Sequence, residues 1–144
     1  MKRVLGTLYI LGLTMVMFAL TMLIPLIVAY VGGDAAREAF LNGFLISVGI
    51  GGTLAAVTRR SRCELRARDG FVLVSAVWAG LPLLAAIPLM LYFHGAGLPL
   101  SFTGAYFEAM SGLTTTGATV LTNLDALPAV SYTHLRAHET LRYL

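Results

Sequence analysis

Apolar residues fall along this chain in long unbroken runs, with neither the alternation of a half-buried strand nor the sparse stripe of a soluble amphipathic helix. Three runs, residues 4–31, 39–57 and 71–93, contain no charged residue. Crossing a hydrocarbon core of about 30 Å takes about 20 helical residues, so each run predicts a transmembrane helix. A spanning segment must be a helix or part of a closed barrel, because backbone groups left unpaired in lipid are costly, and the period-two pattern of a barrel strand is absent. The first run follows Met1, Lys2 and Arg3. It is about twice as long as the apolar region of a secretory signal and no A-x-A site follows, so it predicts a retained span. Pro25, in its outer third, predicts a kink or a locally unwound turn. Gly43, Ser47, Gly51 and Ala55 recur every four residues in the second run. They form a small-residue stripe suited to close helix packing. Pro82 and Pro88 predict bends in the third, which also carries Trp78.

The pattern changes after residue 98. Ser101 or Thr103 is placed to cap a short helix, with Tyr106, Phe107, Met110 and Leu113 at helical spacing and an end near Gly112. Such a helix is too short to cross a bilayer. Thr114, Thr115, Thr116, Gly117, Ala118 and Thr119 follow, a stretch too polar and too glycine-bearing for a helix facing lipid. Non-helical backbone at membrane depth is tolerated only when buried in protein or lining a watery cavity. The expected fold class is therefore an all-α membrane protein, with three transmembrane helices plus a re-entrant pore helix and filter loop.

Composition agrees and narrows the function classes. Of 144 residues, 58% are hydrophobic and 12% charged, and the mean hydropathy is +0.82. These values exclude a soluble enzyme with a charged shell, a disulfide-stapled secreted domain and a disordered tail. The isoelectric point near 9.4 comes largely from one loop holding Arg59, Arg60, Arg62, Arg66 and Arg68. Concentration in a single loop points to membrane topology and away from nucleic acid. Placing that loop in the cytoplasm puts the N-terminus inside and sends the third helix outward. Cys63, the sole cysteine, lies in the same loop and reads as a free structural thiol.

The threonine-rich stretch carries the candidate chemistry. A cation stripped of water needs replacement oxygens, and an extended Thr/Gly segment can turn carbonyls, and a hydroxyl, toward one axis. Gly117 takes φ > 0 at little steric cost, and the partially negative end of the short helix faces the ion. Neutral dipoles suit a monovalent ion that must also leave; a full charge holds it too tightly for flux. On spacing alone a plain polar turn between membrane elements fits equally well. There is no phosphate-binding motif, and no basic residue between Arg68 and Arg136 to meet a phosphate. No base partners a threonine for nucleophilic chemistry, and His94 suits an interfacial position, so the chain does not read as an enzyme. Glu108 is the only charged residue between 71 and 124. It serves either as a hydrogen-bonding brace behind the loop or as an attractor for cations, the brace fitting its position before the loop better. Asp125 either raises the cation concentration at a mouth or acts as a cap or surface residue.

The segment FTGAYFEAMSGLTTTGATVLTNLDALP resembles the first pore loop of the Trk/Ktr potassium-uptake family, of the type of the Trk membrane subunit. TMLIPLIVA, RARDGFVLV and AAIPL extend the likeness backward, so that it covers residues 1–128. The resemblance implies an N-terminal helix pair at 1–58, a cytoplasmic Arg-rich loop at 59–70, and the outer helix, pore helix and filter loop of a first repeat at 71–128. Four such repeats surround a single potassium pathway in that family. It implies that Thr115, Thr116 and Gly117 present carbonyls to potassium, with Thr114 and Ala118 flanking them. Further implications are potassium uptake across the bacterial inner membrane, no cofactor and no structural metal. Membrane lipids, the remaining repeats of a parent chain, a second copy in a dimer and a cytosolic nucleotide-binding regulatory subunit are the implied partners. Residues 129–144 depart from the family pattern. His134 and His138 sit four apart there without a third ligand, and the segment reads as a non-native tail on a fragment that carries one quarter of the filter and is itself inactive. The competing reading is a small membrane scaffold protein whose threonine loop is structural.

Overall fold

The computed structural model describes residues 2–33, 36–61, 66–98 and 100–121. Regular structure among these is entirely helical: α1 (Lys2–Thr21), α2 (Leu23–Gly32), α3 (Ala36–Thr58), a 3-10 turn (Arg59–Ser61), α4 (Ala67–Gly95) and α5 (Phe102–Leu113). Three spans, Val4–Gly32, Ala36–Thr58 and Ala67–Gly95, are long and apolar enough to cross a membrane. The chain is thus an all-α membrane protein with three transmembrane helices and a short helix, α5, packed against α4. Ile24, Val31, Val57 and Phe71 are well exposed, as befits side chains whose solvent is lipid.

Each helix outruns the apolar stretch that predicts it. Arg37 and Glu38 belong to the first turns of α3, and Arg68 and Asp69 to the start of α4, so the polar connections are shorter than the sequence boundaries suggest. The reason is local. Apolarity ends where water begins, whereas helical hydrogen bonding continues beyond it, and the Asp69 carboxylate accepts the Arg66 N–H at 3.0 Å to start α4. α2 ends with Gly33 in the left-handed region at φ 65°.

α1 and α2 form one interrupted span. Pro25 has no N–H to give to the carbonyl four residues back, and its ring crowds that turn. The break accordingly falls at Met22, whose N–H reverts to a tight bond with the Ala19 carbonyl at 3.0 Å. The small-residue stripe of α3, Gly43, Ser47, Gly51 and Ala55, is buried, and it faces this span and α4. A Cβ on Gly12 would lie 2.7 Å from the Ala55 nitrogen and 2.8 Å from the Gly51 oxygen, and one on Gly43 would lie 2.9 Å from the Pro88 ring. Side chains are absent where the backbones touch, which is how helices gain close packing in lipid. Ser47 points its hydroxyl at the Met22 sulfur, 4.0 Å away.

α5 lies against α4. Ala105 and Ala109 pack on Ala85, Ala86 and Leu89, with Phe18 of α1 beside them. The large residues Tyr106, Phe107, Met110 and Leu113 do not form the buried face; that face is Ala105, Glu108, Ala109 and Ser111. Alanines allow the short helix to approach α4 closely, and its bulky side chains fall on the outer sides.

Candidate functional site

The re-entrant shape follows from what α5 touches. Its twelve residues rise about 18 Å, well short of a bilayer. Ser101 starts it, taking the Gly104 N–H on its hydroxyl at 3.1 Å, a side-chain N-cap. The Tyr106 hydroxyl donates to the Ala79 carbonyl at 3.4 Å, near the middle of α4 and in the turn before Pro82. Leu121, at the far end of the following loop, packs against the cluster of Ala29, Ala36, Ala39, Phe40, Tyr92 and Phe93, near the end of α4 from which the chain left. The chain therefore dips toward the middle of the bundle and returns to the same side.

The helix ends abruptly, by a specific motif. Thr115 is left-handed at φ 55°. The Thr116 N–H reaches back to the Ser111 carbonyl at 3.0 Å, and the Thr115 N–H to the Gly112 carbonyl at 3.2 Å. This pair of bonds is the Schellman arrangement, which satisfies carbonyls orphaned at a helix end and is usually built on glycine. Here a β-branched residue occupies the left-handed position, at a cost of about 1–3 kcal/mol that the surrounding bonds must offset. Two residues later Gly117 is also left-handed, at φ 71°. Residues 116–121 form neither helix nor strand, and Thr114 through Val120 are exposed in the chain by itself.

Glu108 fixes the far end. Its carboxyl is 2% exposed, and one oxygen, Oε1, accepts the Thr119 hydroxyl at 2.7 Å, the Val120 N–H at 2.5 Å and the Leu121 N–H at 3.2 Å. The side chain thus spans from the middle of α5 to the returning strand of backbone, satisfying amides that no secondary structure would pair. Of the two roles weighed for Glu108, this geometry fits the brace. Thr114, Thr115, Thr116, Gly117 and Ala118 all lie on the exposed loop between the two anchors.

One feature that sequence reasoning missed is a link between hydroxyls. Thr114 Oγ1 donates to the Met110 carbonyl at 2.8 Å and lies 2.8 Å from Thr116 Oγ1. No signal in a run of threonines marks which of them pair. Asp125, Cys63, His134, His138 and the 129–144 tail lie outside the described residues. Among the described residues no three His, Cys, Asp or Glu side chains gather as metal ligands.

Comparison with known proteins adds three findings. A family model, TrkH, described as a cation transport protein, matches residues 36–141 and so takes in part of the tail. The chain is 46% identical over 119 residues to the Trk system potassium uptake protein TrkH of Halomonas elongata, and 40% identical to that of Escherichia coli K12. In each case the alignment covers 83% of this chain and 24% of the relative. The crystal structure of the potassium transporter TrkH from Vibrio parahaemolyticus superposes with a TM-score of 0.83 at 33% identity, covering 94% of this chain and 28% of that one. The chain spans about a quarter of the length of the curated relatives it matches.

Proposed function

The chain belongs to the TrkH family of cation transport proteins, and on that footing we propose that it carries the first ion-selecting loop of a potassium-uptake protein of the bacterial inner membrane. The loop supplies main-chain oxygens of Thr115, Thr116 and Gly117 to a dehydrated potassium ion, flanked by Thr114 and Ala118, while Glu108 holds the loop from behind. The observation that carries this reading is the loop's construction. A helix too short to span is closed by left-handed Thr115, left-handed Gly117 follows, and the segment after the helix is clamped at both ends by that same helix. A loop held in this way keeps its oxygens in place when an ion exchanges water for them, so the site pays little reorganisation energy.

Conduction then requires three further loops around the same axis, and one loop alone does not close a fourfold cage. The Arg59, Arg60, Arg66 and Arg68 end of the bundle faces the cytoplasm, where the N-terminus lies beside it, and the loop opens toward the outside. The chain packs the 3-10 turn at Arg59–Ser61 against α1, which supports a common side for both. Pairing with a second copy and a cytosolic nucleotide-binding regulatory subunit belong to the whole protein in this reading and rest on the family alone. No covalent chemistry takes part.

The test is a hybrid in which residues 1–121 replace the matching first quarter of the 46% identical relative, expressed in bacteria lacking potassium uptake. The hybrid restores rubidium uptake. Gly117→Asp abolishes it at unchanged membrane levels, because aspartate, which tolerates the left-handed backbone at φ 71°, sets a full charge among neutral dipoles. Undiminished uptake by the Gly117→Asp hybrid defeats the filter assignment and leaves the structural-loop scaffold reading in its place.

A further inference from the structure

Resting on that reading, we infer that the Thr116 side-chain oxygen is itself a cation ligand and that Thr114 is the positioning residue that makes it one. A threonine hydroxyl has one hydrogen to give and two lone pairs with which to accept. Thr114 Oγ1 stands 2.8 Å from the Met110 carbonyl oxygen, which can only accept, so the Thr114 hydrogen is directed there. The Ser111 carbonyl, at 3.5 Å, is too distant to compete for it. Thr114 Oγ1 is also 2.8 Å from Thr116 Oγ1. With its own hydrogen spent, Thr114 accepts in that contact and Thr116 donates.

The result is a one-way chain from Thr116 through Thr114 to the last turn of α5. Each donor in such a chain polarises the next. The Thr116 hydrogen is drawn back toward the helix, and the lone pairs that remain on its oxygen belong to an exposed residue of the loop. A hydroxyl free to rotate presents its hydrogen to solvent as readily as its oxygen. One tied in this way presents oxygen, the pole that a dehydrated monovalent cation binds. The left-handed turn at Thr115, φ 55°, reverses the chain between the two partners and lets side chains two apart in sequence meet.

Four variants in the hybrid test this by rubidium uptake, with sodium as competitor. Thr114→Val keeps the shape and removes the acceptor. It is expected to raise the half-saturating rubidium concentration about tenfold, the worth of one ordinary polar contact, and to weaken discrimination against sodium, with little change in maximal rate. Thr114→Ser restores the hydroxyl and the parent values. Thr116→Val loses the ligand outright and is at least as impaired as Thr114→Val. The double variant Thr114→Val/Thr116→Val is no worse than Thr116→Val, because Thr114 acts only through its neighbour. Additive losses in the double variant, a defect in Thr114→Ser equal to that of Thr114→Val, or parent-like uptake by Thr116→Val each overturn the relay. Because Gly117→Asp reports on the filter separately, loss of uptake there combined with any of these outcomes removes the relay while keeping the filter.

Discussion

Replacing Glu108 separates a carboxyl that braces the loop from one that draws in cations by its charge. Glu108→Ala strips acceptors from the Val120 and Leu121 amides and from the Thr119 hydroxyl. Leu121 keeps a second acceptor, Thr119 Oγ1 at 3.0 Å, and the Thr119 hydroxyl can turn to other partners, so the main loss falls on Val120. A hydrogen bond to a carboxylate is worth about 1.5–3 kcal/mol net. Val120 is exposed, which places the loss toward the lower end, about 2 kcal/mol of local stability. At 1.4 kcal/mol per tenfold, amide exchange across 114–121 should quicken roughly thirtyfold, while exchange in the core of α4 stays unchanged. Glu108→Gln retains a carbonyl oxygen in the same place and exchanges charge-assisted bonds for neutral ones of about half the strength. Its exchange should quicken by only about fivefold, near 1 kcal/mol. Peptide-resolved hydrogen exchange on the hybrid in detergent measures both variants, with rubidium uptake recorded beside it. Should Glu108→Gln prove as damaging to uptake as Glu108→Ala while its loop exchanges at the parent rate, the charge and not the brace is what matters, and the reasoning fails.

Two further outcomes are expected. Gly12→Ala should lower thermal stability by about 2 kcal/mol, since the new methyl meets backbone atoms of Gly51 and Ala55 under 3 Å away. Gly49→Ala, with nothing within 4 Å, should match the parent in the same melting assay, and equal effects from the two would refute the close-packed stripe. For orientation, a cysteine placed at Arg60 should resist a membrane-impermeant maleimide applied to intact cells, whereas one placed at Leu98, which is 61% exposed, should react. The reverse pattern would invert the topology.

The three spans are legible because lipid imposes a simple demand, an uncharged run long enough to cross, and the sequence meets it three times. Their ends are less legible: Arg37, Glu38, Arg68 and Asp69 continue helices into the aqueous margin, where hydropathy no longer reports on backbone hydrogen bonding. Pro25 announces a disruption but not its location, because the missing bond belongs to the turn before it and the break appears at Met22. The short helix is readable from Ser101 and from the polar run that follows it. Its inward face is not, since apolar spacing favours Tyr106, Phe107, Met110 and Leu113, whereas close approach to α4 selects Ala105 and Ala109. Glu108 stands out as a solitary charge, yet its partners lie eleven to thirteen residues ahead in a stretch without periodicity. Least readable is Thr115, where a β-branched residue adopts a conformation that local preference opposes and only the surrounding bonds enforce.

The hydrogen-bonding anchors that shape the loop come from nearby sequence, Ser111 and Gly112 at its start and Glu108 at its finish, and the cluster on which Leu121 packs lies earlier in the chain. Contacts of such short range form early and need little chain to be closed into a ring. As the polypeptide emerges from the ribosome, this stretch can acquire its contour once residue 121 has cleared the exit, with no help from segments still to be made. In the whole protein proposed above, assembly of a pathway is then the docking of parts already formed, and an error in a later part need not spoil an earlier one.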